Sequence, residues 1–360
     1  MPSDADDAHL LRALALARKG WGDTHPNPMV GALIVEDGRV VAEGFHAKAG
    51  APHAEVMALQ ARGRRPLAGA TLYVTLEPCS THGRTPPCVQ AILDAGLRRV
   101  VVGTVDPNPL HAGKGIELLR AAGVDVTLAF GPIEMACREL NFLFNHWMVQ
   151  RRTLVAMKVA RDATGRTVPI PGKRFITGEL ARADMMQWRR LFPVIAVGAG
   201  TALADNPQLT ARLPEGTFAP TRLILDRSAR TAGQGHLQIF SDSYRSQTVV
   251  ALDVRLTSPE QRGWFKAQGL QTLEISSGDF LKQVFQHATD SGWLGVFVEP
   301  GPVLGAALIA ARLIDRAWIY TAPSGKAAPS SQSWLNKVSI VDGASVLNLG
   351  EDTLISGSWK

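Results

Sequence analysis

ATLYVTLEPCSTHGRTPPCVQAILDAG, residues 70–96, decides the fold of the first part of the chain. The apolar run ATLYVTLEP predicts a buried strand, and PPCVQAILDAG predicts a helix with proline in its first turn. Two of the three cysteines, Cys79 and Cys88, lie nine positions apart at this junction, and residues 77–88 around them contain three prolines and one glycine. The stretch therefore predicts a strand and a helix that meet at a stiff loop carrying two thiols.

The same alternation of helix and strand extends on both sides of this stretch. Residues 8–20 predict a helix, and residues 29–35 and 39–46 flank an Asp-Gly turn, which is typical of a hairpin. Further segments predict helix or strand in alternation, and residues 133–150 predict one long helix that closes the block. This pattern indicates a layered α/β sheet in residues 1–150.

A second block of buried strands begins near residue 151. Strands are predicted in residues 151–160, 194–200, 221–226, 248–254 and 294–300, helices at 178–191, 280–290 and 303–313, and strand pairs in 338–359. A chain of 360 residues is long enough for two domains. We therefore expect an α/β protein of two domains, residues 1–150 and 151–360.

Composition and charge limit the class of protein. Hydrophobic residues make up 46% of the chain and charged residues 19%, and no apolar run reaches the ~18 residues of a membrane span. The first residues lack the pattern of a signal peptide, so we expect a cytoplasmic protein with reduced thiols and no membrane partner. The net charge of +6 suits nucleic acid or a phosphorylated small molecule, or a solvated surface without a partner.

His53, Cys79 and Cys88 form a candidate metal site. One imidazole and two thiolates at the ends of neighbouring elements would supply three ligands for zinc and leave a fourth position open, as a catalytic site needs. Glu55, two residues after His53, is the candidate proton carrier. His-x-Glu followed by Pro-Cys and a second cysteine is typical of zinc-dependent nucleobase deaminases. The alternatives are two buried thiols or a disulfide, and Cys137, on the apolar face of a helix, is predicted to lie in the core.

Four motifs carry a resemblance to a known family. THPNPMVGALIV (residues 24–35), HAKAGAPHAEVMAL (46–59), VTLEPCSTHGRTPPC (74–88) and TVDPNP (104–109) together resemble the deaminase half of the bifunctional riboflavin-biosynthesis deaminase/reductase. The resemblance implies a cytidine-deaminase-like three-layer α/β/α domain. It also implies hydrolysis of the 2-amino group of 2,5-diamino-6-ribosylamino-4(3H)-pyrimidinone 5′-phosphate.

The resemblance also assigns roles to residues of the first domain. His53, Cys79 and Cys88 match the zinc ligands, and Glu55 matches the proton shuttle. The positions matching those that hold the pyrimidine and its ribose phosphate are Asn27, His46, Arg84, Asp106 and Asn108. Taken singly, each of these polar loop residues could equally be a turn former.

The second domain resembles the reductase half of the same family. VGAGTALADNPQLTAR (197–212) and VEPGPVLGAAL (298–308) carry this resemblance, which implies a dihydrofolate-reductase-like α/β fold and NADPH-dependent reduction of the ribosyl group to ribityl. Leu203 stands where a dinucleotide fingerprint has its third glycine, so a Rossmann domain is not predicted. The matching cofactor-binding positions are Ala160, Phe175, Thr201, Asp205 and Gly301, and the matching substrate positions are Arg189, Leu209, Arg212 and Glu299.

The segment KVARDATGRTVPIPGKRFIT, residues 158–177, departs from the family pattern. Relatives have Ser-Leu-Asp-Gly where this chain has residues 162–165, serine at the position of Lys173 and tryptophan at that of Phe175. One alternative is therefore an active deaminase whose second domain is a vestigial binding or dimerisation module. A nucleic-acid deaminase is a further alternative, which the eight residues between the cysteines disfavour. The resemblance also implies a homo-oligomer, and the cofactors expected are one Zn²⁺ per chain and NADPH.

Overall fold

The computed structural model describes residues 2–81, 86–170, 172–323 and 344–359. The chain divides into two compact units, Met1–Arg151 and Arg152–Lys360. Arg84, predicted to bind substrate, lies outside the described residues, as does part of the C-terminal segment predicted to form strand pairs.

The described part of the first unit is built on a five-stranded sheet. Its strands are β1 (Gly31–Glu36), β2 (Arg39–Phe45), β3 (Thr71–Val74), β4 (Arg99–Val102) and β5 (Asp125–Leu128), in the order β2-β1-β3-β4-β5. The pairs β1–β2 and β1–β3 are antiparallel, whereas β3, β4 and β5 run parallel. The parallel strands place the loops that follow β3 and β4 at one edge of the sheet.

The predicted hairpin is present, with Asp37 and Gly38 both at positive φ, 48° and 72°. Two successive positive φ values match the right-handed twist of the strands, and Asp-Gly accepts them readily. The helices of this unit are α1 (Asp4–Ala17), α2 (Ala54–Arg62), α3 (Cys88–Asp94), α4 (Lys114–Ala121), α5 (Gly131–Leu140) and α6 (Phe142–Gln150).

Apolar side chains from β1, β3 and β4 pack on one face of the sheet against those of α2, α3 and α4. Helix α1 packs on the other face, where the Cβ that Gly31 lacks would lie 2.0 Å from the carbonyl oxygen of Ala13. Helix α5 contributes Cys137 to this face, against Gly103. The three layers α/β/α are therefore present.

The prediction of one long helix over residues 133–150 is wrong at Asn141. Helix α5 ends before this residue and α6 begins after it, with Asn141 at φ −109° and ψ 30°. The Asn141 side chain accepts from the backbone N–H of Met29 at 2.8 Å and donates to the carbonyl of Met29 at 2.8 Å. These two buried bonds hold Asn141 against a distant loop, which a single-sequence helical pattern does not reveal.

A nine-stranded sheet organises the described part of the second unit. Its strands are β6 (Leu154–Asp162), β7 (Val194–Gly198), β10 (Thr221–Leu225), β11 (Thr248–Asp253), β12 (Gln271–Ile275), β13 (Gly295–Val298), β14 (Arg316–Ala322), β15 (Ser345–Leu349) and β16 (Asp352–Ser358), and β8 (Ala211–Leu213) and β9 (Gly216–Phe218) form a separate hairpin. The order is β12-β11-β10-β7-β13-β6-β14-β16-β15. The strands from β12 to β14 are parallel, and β16 and β15 add on antiparallel.

Helices connect the parallel strands of the second unit. They are α7 (Glu179–Leu191), α8 (Ala199–Asp205), α9 (Gln238–Ser241), α10 (Pro259–Ala267), α11 (Phe280–Asp290) and α12 (Pro302–Ala310). The sequence did not predict β12, β14, the β8–β9 hairpin or helices α8 to α10. The strands β7 and β13 are neighbours and end at Gly198 and Val298, so the segments that follow them meet at the carboxyl edge of the sheet, where α/β proteins bind ligands.

Candidate functional site

The first unit brings His53, Cys79 and Cys88 together. His53 immediately precedes α2, Cys79 follows β3, and Cys88 is the first residue of α3. Nδ1 of His53 lies 3.2 Å from Sγ of Cys88 and 3.5 Å from Sγ of Cys79, and the ligand atoms all lie within 4.8 Å of one another. All three cysteines of the chain are free thiols, so the disulfide alternative is not what the fold contains.

This group of side chains fits zinc. Tetrahedral bonds of about 2.3 Å to sulfur and 2.1 Å to nitrogen separate neighbouring ligand atoms by about 3.6–3.8 Å, close to the distances between these side chains. Two sulfurs and one imidazole nitrogen are the donor set that Zn²⁺ prefers, and three protein ligands leave a further position open. Among the described residues, these three side chains are the only such group, which matches a catalytic zinc site rather than a closed structural one.

The environment shifts the pKa values of the two thiols in opposite directions. The hydrogen bond from Cys88, together with that from His53, lowers the pKa of Cys79 to about 4, although burial opposes this. The backbone N–H of Cys88, in the first turn of α3, also donates to Sγ of Cys79 at 3.3 Å. The pKa of Cys88 is raised by its hydrogen bond with Cys79 and by burial. The pKa of His53 is raised by the hydrogen bond with Cys79.

Glu55 lies in the first turn of α2 and is 3% exposed. Burial raises the pKa of its carboxyl group to about 7, and the negative charge of Cys79 acts in the same direction. A carboxyl group with a pKa near neutrality can both accept and release a proton at working pH. Glu55 therefore has the properties of a proton carrier beside the three ligands.

Asn27 and His46 form a polar pair next to the ligand group. The rings of His46 and His53 meet edge to face, with centroids 5.5 Å apart. His46 is buried, which lowers its pKa, and its Nε2 lies 3.3 Å from Nδ2 of Asn27. The structure therefore places His46 beside His53 and Asn27 beside His46, and the resemblance assigns both Asn27 and His46 to the substrate.

Asp106 and Asn108 lie in the connection between β4 and α4. Asp106 is partly buried, and its pKa is raised mainly by burial and to a lesser degree by the charges of Glu77 and Cys79. Oδ1 of Asp106 accepts from the backbone N–H of Asn108 at 2.8 Å, and Oδ1 of Asn108 accepts from that of Leu110 at 3.1 Å. Both side chains therefore also have the turn-forming role that the sequence left open.

The second unit contains a cavity of about 1200 Å³. Of the residues that the resemblance assigns to this unit, those lining the cavity are Ala160, Phe175, Arg189, Thr201, Asp205, Leu209, Arg212 and Glu299. Gly301 does not line it, but a Cβ on Gly301 would lie 3.1 Å from Oγ1 of Thr201. Because residue 301, which immediately precedes α12, is glycine, the backbone there can lie close to Thr201 of α8.

Glu299 lies at the centre of a charged network in this cavity. It accepts from Nε of Arg189 at 2.6 Å, and its other oxygen lies 3.6 Å from Nζ of Lys158. The two cations lower the pKa of Glu299 to about 2 despite its burial, whereas burial lowers the pKa of Lys158. Lys158 was not among the predicted site residues, although a lysine within the apolar run LVAMKVA is a signal that could have identified it.

The loop after α8 is fixed in an unusual conformation at the cavity wall. Leu209 is 1% exposed and has φ 55°, and Asn206 has φ 40°, values that non-glycine residues rarely adopt. Arg189 donates to the carbonyl of Thr210 at 3.1 Å, and Arg222, which is fully buried, donates to the carbonyl of Gln208 at 3.0 Å. The surrounding bonds hold this strained backbone in place, which is common at functional sites.

The departures in residues 158–177 fall into two groups. Lys173 and Phe175 line the cavity, and the guanidinium of Arg182 lies 4.6 Å from the centre of the Phe175 ring. Asp162 instead closes a turn, accepting from the backbone N–H groups of Thr164 and Arg166 at 2.9 and 3.0 Å. Residues 162–165 are not among the described residues that line the cavity.

The three-layer fold and the His-Cys-Cys-Glu arrangement define a zinc-dependent deaminase of the cytidine deaminase class. The family model for the cytidine and deoxycytidylate deaminase zinc-binding region matches residues 3–104, and the model for the RibD C-terminal domain matches residues 154–332. The two units of the chain thus match two different domain models, the first that of a deaminase and the second that of the RibD C-terminal domain.

Comparison with whole proteins identifies the family. The chain is 36% identical over 361 residues to the riboflavin biosynthesis protein RibD of Aquifex aeolicus, covering 99% of both chains. The solved structure of Acinetobacter baumannii RibD matches with a TM-score of 0.80 and 33% identity, over 99% of both chains. The Thermotoga maritima diaminohydroxyphosphoribosylaminopyrimidine deaminase/5-amino-6-(5-phosphoribosylamino)uracil reductase matches with a TM-score of 0.80 and 32% identity, over 99% of both chains.

The chain belongs to the RibD family of riboflavin biosynthesis proteins. It is a bifunctional enzyme with a deaminase and a reductase domain, and the second domain has the dihydrofolate-reductase-like fold that the resemblance implied. No helix in the described ranges is both long and apolar enough to cross a membrane.

Proposed function

We propose that residues 1–150 deaminate 2,5-diamino-6-ribosylamino-4(3H)-pyrimidinone 5′-phosphate and that residues 151–360 then reduce its ribosyl group to ribityl with NADPH. The observation that carries the first half is the convergence of His53, Cys79 and Cys88 within 4.8 Å, with buried Glu55 beside them. The name of the Thermotoga maritima relative, a deaminase and reductase of phosphoribosylated pyrimidines, supports the same substrate class.

In this proposal His53, Cys79 and Cys88 hold one zinc ion. Zinc supplies a Lewis acid that makes water nucleophilic near neutral pH. Glu55 takes a proton from the attacking water on its carboxylate and delivers it to the departing amino group, so that ammonia leaves as a neutral molecule. Burial of Glu55, which raises its pKa, suits both halves of this transfer.

Polar groups around the ligand set would hold the substrate. We assign Asn27, His46, Asp106 and Asn108 to the pyrimidine and its ribose phosphate, and the proximity of His46 to His53 supports this assignment. Donors and acceptors are both needed, because the diaminopyrimidinone ring presents both along its edges. Arg84 is assigned to the same substrate on the basis of its motif alone.

The cavity of the second unit would hold NADPH and the deaminated product. NADPH supplies the hydride for reduction of the sugar carbon. We assign five residues of this unit to the cofactor: Ala160, Phe175, Thr201, Asp205 and Gly301. Gly301 lies beside Thr201, and a bulkier residue there would obstruct the close approach of the cofactor to the backbone.

Arg189, Leu209, Arg212 and Glu299 are assigned to the substrate in this cavity. Lys158 adds a cation that can face the oxygen of the reacting sugar, because it lies in the same network as Glu299. The presence of this charged network in a cavity of about 1200 Å³ favours an active reductase over a vestigial module.

The experiment measures both reactions in one mixture. Zinc-loaded protein given the diaminopyrimidine phosphate should release ammonia, and added NADPH should be oxidised only after deamination has begun. Glu55→Gln should keep its zinc, stop ammonia release and leave NADPH oxidation intact when the deaminated compound is supplied. Near-normal ammonia release by this variant would refute the assignment of Glu55. We further propose that the enzyme acts in the cytoplasm. We also propose that it is a homo-oligomer, and size-exclusion chromatography with light scattering can test its oligomeric state.

A further inference from the structure

Glu77 is a buried carboxylate that has no part in the chemistry proposed above. It lies between β3 and Cys79 and is 5% exposed. Its oxygens accept hydrogen bonds from backbone N–H groups far along the chain, at Asp106 (3.1 Å), Gly113 (2.9 Å), Gly115 (2.8 Å) and Ile116 (3.3 Å). Bonds from backbone N–H groups to an ionised carboxylate are stronger than bonds between neutral groups.

These bonds hold both ends of one connection. The segment between β4 and α4 carries Asp106 and Asn108, and Oε2 of Glu77 binds the N–H of Asp106 near its start and of Gly113 near its end. Oε1 binds the first turn of α4, and the backbone N–H of Glu77 itself donates to the carbonyl of Thr104 at 2.9 Å. The connection is thus closed around a single side chain.

Glu77 also ties this connection to the metal ligands. Cys79 is only two residues away, and the intervening Pro78 packs so closely on α4 that a Cβ on Gly115 would lie 2.1 Å from its carbonyl oxygen. A displacement of the connection therefore changes the position of Asp106 and Asn108 relative to Cys79. The physical requirement is one of distance, because a bound pyrimidine must reach its polar partners and the reacting centre at once.

We propose that Glu77 is a positioning residue of the deaminase: it sets the distance between the metal ligands and the connection that carries Asp106 and Asn108. Glu77 touches neither substrate nor metal in this role, and it acts through the backbone of the connection. The proposal rests on the substrate assignment of Asp106 and Asn108 made above. It goes beyond that assignment by naming the side chain that holds Asp106 and Asn108 in position relative to the metal ligands.

Glu77→Gln is the informative substitution, since it keeps the size of the side chain and replaces one acceptor oxygen by an NH₂ group. In one orientation the NH₂ faces the N–H groups of Asp106 and Gly113, and in the other it faces those of Gly115 and Ile116. In either orientation two backbone N–H donors face the side-chain NH₂ group, which is itself a donor and cannot accept their hydrogen bonds. We expect KM for the pyrimidine to rise about tenfold while kcat changes less than about twofold, since the loss of charge-assisted bonds loosens substrate positioning.

Glu36→Gln is the matched control. Glu36 is 6% exposed and also holds a distant segment, accepting from Arg62, from Arg64 and from the backbone N–H of Leu67. Glu36 is the last residue of β1. Because β1 runs antiparallel to β3, Glu36 lies at the end of the strands opposite to Glu77, which follows β3. We expect Glu36→Gln to lower the melting temperature as Glu77→Gln does, and to leave KM unchanged.

Ammonia release, zinc content and amide hydrogen exchange are measured for the wild type, both Gln variants and Asn108→Ala. The expected result is a raised KM in Glu77→Gln alone of the two Gln variants, unchanged zinc, and faster exchange at Gly113 and Gly115. An unchanged KM in Glu77→Gln beside a raised KM in Asn108→Ala overturns the role of Glu77 and leaves the substrate assignment standing. An unchanged KM in both Glu77→Gln and Asn108→Ala overturns the role of Glu77 and the substrate assignment together.

If Glu77→Gln does not fold, Gly115→Ala decides the question. The added Cβ meets the carbonyl of Pro78 and pushes the connection away while the carboxylate remains intact. A raised KM with unchanged zinc content supports the positioning role, and a KM equal to that of the wild type overturns it.

Discussion

The side-chain amide nitrogen of Asn27 lies 3.3 Å from Nε2 of His46, whose Nδ1 lies 3.1 Å from the carbonyl oxygen of Pro52. Because a carbonyl only accepts, Nδ1 of His46 carries the proton and Nε2 accepts from Asn27. This chain of bonds fixes both the tautomer of His46 and the orientation of the Asn27 amide. His46 therefore also serves to orient Asn27, beyond any contact that it makes with substrate.

His46→Ala should raise KM of the deaminase about tenfold, because the Asn27 amide loses a hydrogen-bond acceptor and can rotate. Zinc content should not change, since His46 is not one of the three ligands and meets His53 in a T-shaped ring contact. Initial rates of ammonia release and a metal assay check both statements. His9→Ala is the control: His9 packs on Tyr73 from helix α1, so its loss should leave KM unaltered. Loss of zinc from His46→Ala would instead show that His46 supports the metal ligands.

Cys88→Ser should bind much less zinc than the wild type, because a serine hydroxyl is a far weaker zinc ligand than a thiolate. Cys137→Ser provides the comparison, since Cys137 is also a buried free thiol of the same unit. Metal-to-protein ratios after dialysis should fall for Cys88→Ser and stay unchanged for Cys137→Ser. Equal ratios in the two variants would contradict the assignment of Cys88 as a ligand.

The sequence predicted the parts of the fold and site that depend on local pattern. Cys88 could be placed at the start of a helix because Pro86 and Pro87 precede an amphipathic run, and the Asp37-Gly38 turn follows from glycine chemistry. Residues whose role depends on distant contacts were missed. Glu77 acts on residues 29 to 39 positions away, and Asn141 ends a helix through a bond to Met29.

The same reasoning explains the second unit. Its cavity residues were found by motif, whereas Lys158 was missed because its partners, Glu299 and the ring of Tyr320, come from strands far along the chain. Arg222 was missed for the same reason, since its interactions with Asp242 and with the carbonyl of Gln208 join separate segments. A periodic apolar pattern predicts that a side chain is buried, and it gives no information about which polar groups meet it there.

Glu299→Gln should abolish most NADPH oxidation and leave ammonia release intact. The substitution removes the charge that compensates Arg189 and Lys158, and breaking a buried ion pair costs about 3–5 kcal/mol. The melting temperature of the second unit should therefore also fall. Glu274→Gln tests whether any lost carboxylate has this effect, because Glu274 pairs with Lys266 at the surface. Equal NADPH oxidation by Glu299→Gln and the wild type would contradict the substrate role assigned to Glu299.

Asp6 should make the stability of the first unit depend on acid pH. Burial of Asp6 opposes its ionisation, but hydrogen bonds from Arg99, Ser3 and Tyr73 outweigh burial and hold its pKa well below the ordinary value of 3.8. A carboxyl group whose pKa is lower in the folded state stabilises the fold fully above its unfolded pKa. That contribution is lost as the pH falls below 3.8 toward the folded pKa.

Asp6→Asn should therefore destabilise the protein at pH 7 by about 2 kcal/mol, the typical contribution of hydrogen bonds to a charged group. The difference in melting temperature from the wild type should shrink as the pH falls below 4, since Asp6 is then protonated in the unfolded chain but still ionised in the fold, which removes the advantage of the folded state. Asp125→Asn is the control, because Asp125 is exposed and lies 3.9 Å from Nε of the same Arg99, so its loss should cost less than about 0.5 kcal/mol. Both variants are compared with the wild type in the same buffers, so acid release of metal contributes equally to each. A difference for Asp6→Asn that is constant from pH 7 to pH 2 would show that Asp6 acts through packing and not through its charge.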